Sequence, residues 1–189
     1  MTRSLLVAVT LVILGAPGAW AAPAPAQDDP AAQQRQANEE AARLHQEARG
    51  LAQSGRHDEA IRSYRRILAL KPDDLDAMTA LARVTSWKGD FAGAERVYRD
   101  VLARKPDHAD ALVGFGDVRS WQKDYAGARR AYEQALAAVP DHVDALKGLG
   151  KLARWQGDRE SSRRYYSQAL RQVPTDPEAR DAMRQLEQR

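Results

Sequence analysis

The chain has 189 residues and a formal net charge of +3, with 43% hydrophobic but only 6% aromatic residues. It contains no cysteine, which excludes a disulfide framework, a thiolate metal site, a cysteine nucleophile and a lipid anchor on an N-terminal cysteine. The small excess of Arg and Lys is spread without any block of five like charges, which argues against nucleic acid as a partner, and the wealth of Ala, Arg, Glu, Gln and Leu favours helix over strand.

Residues 1–21 read as a secretory signal peptide. Arg3 supplies the positive start, Ser4 to Gly15 is apolar except for Thr10, and Ala19-Trp20-Ala21 fits a small-x-small cleavage site. The competing reading is a membrane anchor, but Pro17-Gly18 cuts the apolar run short of the roughly 20 residues a span requires. Cleavage predicts a mature chain that starts near Ala22, has no membrane span, and works in a bacterial periplasm.

Residues 22–40 form a Pro/Ala/Gln-rich linker and the polar start of the first helix. Ala22 to Asp28 is too rich in proline to build a core. Asp29-Pro30 then reads as an N-cap followed by proline at the first helical position. One long helix follows, amphipathic from about Ala41.

From Ala41 the sequence repeats with a period of 34 residues, in units 41–74, 75–108, 109–142 and 143–176. Asp90-Phe91-Ala92-Gly93-Ala94 returns as Asp124-Tyr125-Ala126-Gly127-Ala128, and Ser86-Trp87 as Ser120-Trp121. A fixed period of this length marks stacked supersecondary units. In each unit, positions 4, 7, 8 and 11 give a first helix one narrow buried face; in the second unit these are Met78, Leu81, Ala82 and Thr85. Gly55, Gly89 and Gly157 end the first helix at position 15, where Lys123 departs and is expected to strain or reshape its turn. Asp90, Asp124 and Asp158 stand where the second helix needs its N-cap. The second helix carries Ala60, Ala94, Ala128 and Ser162 at position 20, Tyr64, Tyr98, Tyr132 and Tyr166 at position 24, and a Leu at position 28. Pro72, Pro106, Pro140 and Pro174 close the units.

Small residues at positions 8 and 20, an aromatic at 24, a small or apolar residue at 27 and Pro at 32 resemble the tetratricopeptide repeat pattern. The aromatics usual at positions 4 and 11 are absent: position 11 holds Leu51, Thr85, Arg119 and Ala153. The resemblance implies an all-α fold, a right-handed α-solenoid of four helix-turn-helix units. Residues 177–189, with Asp176 as N-cap, supply the polar-backed capping helix that a repeat array needs.

No catalytic constellation, cofactor site or metal site emerges, and the chain reads as a non-enzyme. Gly114-x-Gly116 and Gly148-x-Gly150 fall inside helices with no strand before them, so they read as packing residues rather than a phosphate loop. His108 and His142 lack a second ligand at i+3 or i+4 and read as solvated loop residues. The resemblance implies a concave groove lined by positions 2, 5, 9, 12 and 13 of the first helices. The partner-binding residues expected there are Arg49, Arg83, Trp87, Asp117, Trp121, Lys147, Lys151, Arg154 and Trp155, a mostly basic set with one acid. The Lys and Asn of the family's carboxylate clamp at positions 5 and 9 are missing. Trp87, Trp121 and Trp155 lie 34 residues apart and form one row. Either they anchor a partner, or each packs on the following helix with Phe91 and Tyr125 as neighbours. The leading functional expectation is a protein or peptide partner, acidic or carboxylate-bearing, bound during assembly of an envelope or secretion complex. The alternative is a polysaccharide held on the indole faces.

Overall fold

The structure, a computed structural model, describes residues 29–188. The signal peptide, its cleavage site and the Pro-rich spacer lie outside the described residues. Within them the chain forms α1 (Pro30–Gln53), α2 (His57–Leu70), α3 (Leu75–Trp87), α4 (Phe91–Arg104), α5 (Ala109–Trp121), α6 (Tyr125–Ala138), α7 (Val143–Trp155), α8 (Arg159–Gln172) and α9 (Pro177–Glu187). Each helix packs on the next in sequence, and α5 also touches α3 and α7. The result is a solenoid of four helix pairs, with the odd-numbered helices on the inner side and α9 against α8.

The caps explain the boundaries. Asp29 accepts from Ala31 N–H, and Pro30 follows at the first helical position. Asp90, Asp124 and Asp158 accept from the backbone N–H three residues on, at 2.8, 2.9 and 3.0 Å, and so start the second helices. Gly55, Gly89 and Gly157 end the first helices with φ of 76°, 88° and 79°. Lys123 takes the same left-handed conformation at φ 65°. The turn is thus not reshaped; the lysine adopts a conformation its Cβ disfavours.

Tyr64, Tyr98, Tyr132 and Tyr166 are the largest fully buried side chains. They reach through each pair towards the inner helices. A Cβ on Gly114 would lie 2.2 Å from the Tyr98 hydroxyl, and one on Gly148 would lie 2.6 Å from the Tyr132 ring. The inner-helix glycines therefore give the tyrosines room. The buried face is wider than the four positions expected from sequence. Ala77, Ala111 and Ala145 at position 3, and Val84, Val118 and Leu152 at position 10, are also buried. An inner helix such as α5 is covered by its own partner and by the inner helices on either side, so one narrow stripe does not suffice.

In the third unit position 11 is charged for a reason the period alone does not reveal. Arg119 bridges Glu95 (2.9 Å) and Asp124 (3.1 Å) and lies over the Phe115 ring at 5.0 Å. The guanidinium ties α5 to α4 and to the turn before α6.

Candidate functional site

The inner surface holds two connected clefts. The first, about 350 Å³, is lined by Arg83, Trp87, Asp117, Trp121, Lys147, Lys151 and Trp155, with Tyr132, Asp144 and Glu178 among the other walls. The second, about 640 Å³, contains Arg49, His45, Gln53, Tyr64, Thr79, Asp76 and Asp110, and shares Arg83 and Trp87 with the first. Arg154 belongs to neither: its guanidinium donates to Gln185 at 2.8 Å, and it lines an adjoining hollow with Trp155, Arg159 and Gln185. Eight of the nine residues expected from sequence thus share one continuous groove.

The indoles stand along one edge. Trp87, Trp121 and Trp155 are 46%, 44% and 55% exposed. Each leans back on a ring of the preceding repeat: His57 with Trp87 at 5.8 Å, Phe91 with Trp121 at 5.5 Å, and Tyr125 with Trp155 at 5.9 Å. Phe91 and Tyr125 therefore serve the tryptophan 30 residues after them, not the one four residues before. Each indole thus rests against a ring of the preceding repeat and is about half open to solvent; the packing expected from sequence, on the following helix, is not what the fold provides.

The groove is not mostly basic. Position 2 supplies an opposite, acidic edge that the sequence reading overlooked, although the family's own groove positions include it: Asp76, Asp110 and Asp144, continued by Glu178 on α9. Their side chains are 81%, 56%, 54% and 41% exposed, while their partners His108, His142 and Lys147 are at most 15% exposed. His108 and His142 are not solvated loop residues. Each precedes an inner helix and hydrogen-bonds the position-2 carboxylate of its own repeat, at 3.2 Å to Asp76 and to Asp110. His142 also accepts weakly from Ala145 N–H at 3.4 Å. The same junction at the ends of the array carries Asp74 and Asp176 as helix caps, bonded instead by His45 (3.1 Å) and Lys147 (3.1 Å) from position 5.

The centre of the groove is position 9: Arg49, Arg83, Asp117 and Lys151. Asp117 accepts from the Tyr132 hydroxyl at 2.7 Å, and burial raises its carboxyl above the ordinary value despite that bond and the nearby Lys151 and Arg83. Lys147 touches Asp144 (2.9 Å), Asp176 (3.1 Å) and Glu178 (3.5 Å); burial lowers its pKa, but Asp144 and Asp176 outweigh it and raise the ammonium above its usual range. Lys151 contacts Glu178 at 2.6 Å. The lysines are thus occupied by the protein's own acids. Arg83 has only a loose contact, 3.9 Å to Asp110, and Arg49 is exposed with no ion-pair partner among the described residues.

Chemically, this surface offers hydrogen bonds, charge and half-covered aromatic faces to an extended ligand. Among the described residues no group of three or more His, Asp or Glu side chains is placed to hold a metal ion, and no helix is long and apolar enough to cross a membrane.

A model of the tetratricopeptide repeat family matches residues 51–114 and 122–186. No curated protein matches the sequence significantly. Among solved structures, the protein TTC0263 of Thermus thermophilus, described as a thermophilic tetratricopeptide protein, is similar with a TM-score of 0.69 at 22% identity, over 77% of this chain and 80% of that one. Pseudomonas aeruginosa pilF is similar with a TM-score of 0.68 at 24% identity, over 79% and 68%. MamA is similar with a TM-score of 0.57 at 18% identity, over 80% and 82%. At these identities the likeness is one of fold.

Proposed function

The chain belongs to the tetratricopeptide repeat family, and on that premise we propose that it is a non-catalytic scaffold of the cell envelope. It holds an extended segment of a protein partner along α1, α3, α5 and α7 while an envelope or secretion complex assembles. The observation that carries this reading is the row of half-exposed indoles beside a groove of charged and hydroxyl groups. Three such rings in register are costly to leave wet and suit the apolar anchors of a bound chain. The segment at residues 1–21 supports a periplasmic site of action.

The test uses the mature chain, tagged at its C-terminus, incubated with periplasmic extract. A protein captured by the wild type and lost with Trp121→Ala and Trp155→Ala supports the reading. Capture that survives both substitutions overturns it. Mass spectrometry of the exported protein is expected to show a chain beginning at or near Ala22; an intact precursor in the inner membrane would overturn the periplasmic assignment.

The open indole faces favour a second reading, a polysaccharide whose sugar rings stack on Trp87, Trp121 and Trp155. Retention of the chain on envelope polysaccharide, with no protein recovered, would replace the first reading by the second.

A further inference from the structure

The four position-24 tyrosines are buried alike, and Tyr64 and Tyr132 reach the two clefts of the groove. Burial raises every one of the four. What acts beside burial changes along the array. At Tyr64 the other influences are Arg49 and Arg83, both cationic. At Tyr132 they are Asp117 and Glu178, both anionic. Tyr98 and Tyr166 each feel both signs. Arg49 and Arg83 are thus the charges nearest Tyr64, whereas Asp117 and Glu178 are those nearest Tyr132.

Around Tyr64 the arginines are only weakly paired. Arg49 is exposed without an ion pair, and Arg83 meets Asp110 only at 3.9 Å, its other neighbour being the neutral Tyr98 hydroxyl. Thr79 lines the same cleft, is 3% exposed, and its hydroxyl oxygen has no hydrogen-bond partner among the described residues. Trp87 walls the cleft towards the indole row. Asp76 and Asp110 also border this space, but each already takes a hydrogen bond from an imidazole, His108 or His142. At the other end Lys147 and Lys151 are engaged by Asp144, Asp176 and Glu178.

We propose that the cleft between α1 and α3 is the seat for an acidic side chain of the bound peptide, with Arg49 and Arg83 holding its carboxylate and Trp87 taking the apolar residue beside it. This inference rests on the reading of the groove as a peptide site. It adds polarity: the acidic part of the ligand lies at α1 and α3, and its apolar part continues along Trp121 and Trp155. Neighbouring inner helices pack about 8–10 Å apart and an extended chain advances about 3.3 Å per residue, so the residue on Trp121 sits about three positions from the residue on Trp87. A guanidinium suits this task because its planar donors bond a carboxylate in pairs.

The experiment uses the mature protein and a fluorescein-labelled decapeptide of alternating Glu and Leu, blocked at its C-terminus as the amide, with Gln–Leu and Lys–Leu peptides of equal length. Fluorescence anisotropy is expected to show binding of the Glu peptide only, weakening as salt rises. Arg49→Gln and Arg83→Gln should each weaken it about tenfold. Arg130→Gln, an equal charge change at an exposed position of α6, should leave it within about twofold. A Gln–Leu or Lys–Leu peptide that binds as well, or an Arg130→Gln loss equal to that of Arg83→Gln, overturns the proposal. A Glu peptide with a free C-terminus that alone binds would move the seat from a side-chain to a terminal carboxylate and overturn it as stated. If the peptide assay fails while partner capture still depends on Trp121 and Trp155, only this proposal falls; if that dependence is absent too, the groove reading falls with it.

Discussion

In the first two repeats, positions 6 and 8 of the inner helix carry Gln46, Ala48, Ala80 and Ala82; in the last two they carry Gly114, Gly116, Gly148 and Gly150. The backbone plan is the same in both halves, yet the chemistry above it differs. In the glycine half, Tyr132 slips between Gly116 and Gly148 and its hydroxyl reaches Asp117. Lys147 and Lys151 of that half are tied to Asp144 one turn before, to Asp176 at the α9 cap and to Glu178 on α9. In the alanine half, Tyr98 is equally buried but its hydroxyl makes no hydrogen bond of normal geometry among the described residues, and the groove arginines Arg49 and Arg83 have little to hold. One repeat pattern thus supports a half whose polar groups answer each other and a half whose polar groups face outward. The pattern fixes packing and leaves position 9 free to vary.

The comparison breaks first if the tyrosines are not equivalent cores. Tyr132→Ala and Tyr98→Ala should each cost about 3–5 kcal/mol, because both remove a fully buried ring. Chemical denaturation measures this, and an unchanged midpoint for either would remove that ring from the core.

It is sharpened by removing the hydroxyls alone. Tyr132→Phe strips the donor from the partly buried Asp117 carboxylate and should cost about 1–2 kcal/mol. Tyr98→Phe removes a hydroxyl that makes no such bond and should be near neutral. Equal costs would mean that the two halves do not differ in polar pairing.

A third pair tests the glycines. Gly148→Ala places a Cβ 2.6 Å from the Tyr132 ring and should destabilise by about 1 kcal/mol after its helix-propensity gain. Gly50→Ala on α1 meets nothing within 4 Å and should stabilise by about 0.5–1 kcal/mol. Stabilisation by Gly148→Ala would show that the tight fit at Tyr132 is easily relieved.

The smallest effect concerns pH. The hydrogen bond from His142, against the cost of burial and with help from Arg83, holds the Asp110 carboxyl below its usual range. A lowered folded-state pKa gives stability that is present above the unfolded value, near pH 4, and is lost as pH falls through the folded value. Because Asp110 is 56% exposed, the gain is only a few tenths of a kcal/mol, on the order of a surface ion pair. Asp110→Asn should lower stability by about that amount at neutral pH and leave it unchanged in acid, flattening the acid limb of the stability curve; an equal change at neutral pH and in acid would assign Asp110 a role other than this pairing.

The helix pairs, the buried tyrosines and the aspartate caps were legible in the sequence because each obeys the 34-residue period with a residue type that has one physical use. Asp90 and Asp124 recur before Gly93 and Gly127 and cap them. What escaped was chemistry between residues far apart in the chain. His108 and His142 stand at loop positions, so periodicity reads them as solvated; only the fold shows that Asp76 and Asp110 come up against them. The position-2 acids follow from the groove rule once that rule is applied in full, and they turn a basic groove into a two-edged one. The pairing of Phe91 with Trp121 was missed because contacts four residues apart were weighed before contacts thirty apart.

The aromatic ladder has a consequence for how such a chain can change length. Every rung joins position 13 of one unit to position 17 of the unit before it. Excising residues 109–142 would place Trp155 over Phe91 and Gly148 over the Tyr98 hydroxyl, where Trp121 and Gly114 now stand. Neither seam would need new chemistry. The groove can therefore be shortened or extended by whole modules, and a gene duplication or loss in steps of 34 codons would change its reach while keeping its edges in register.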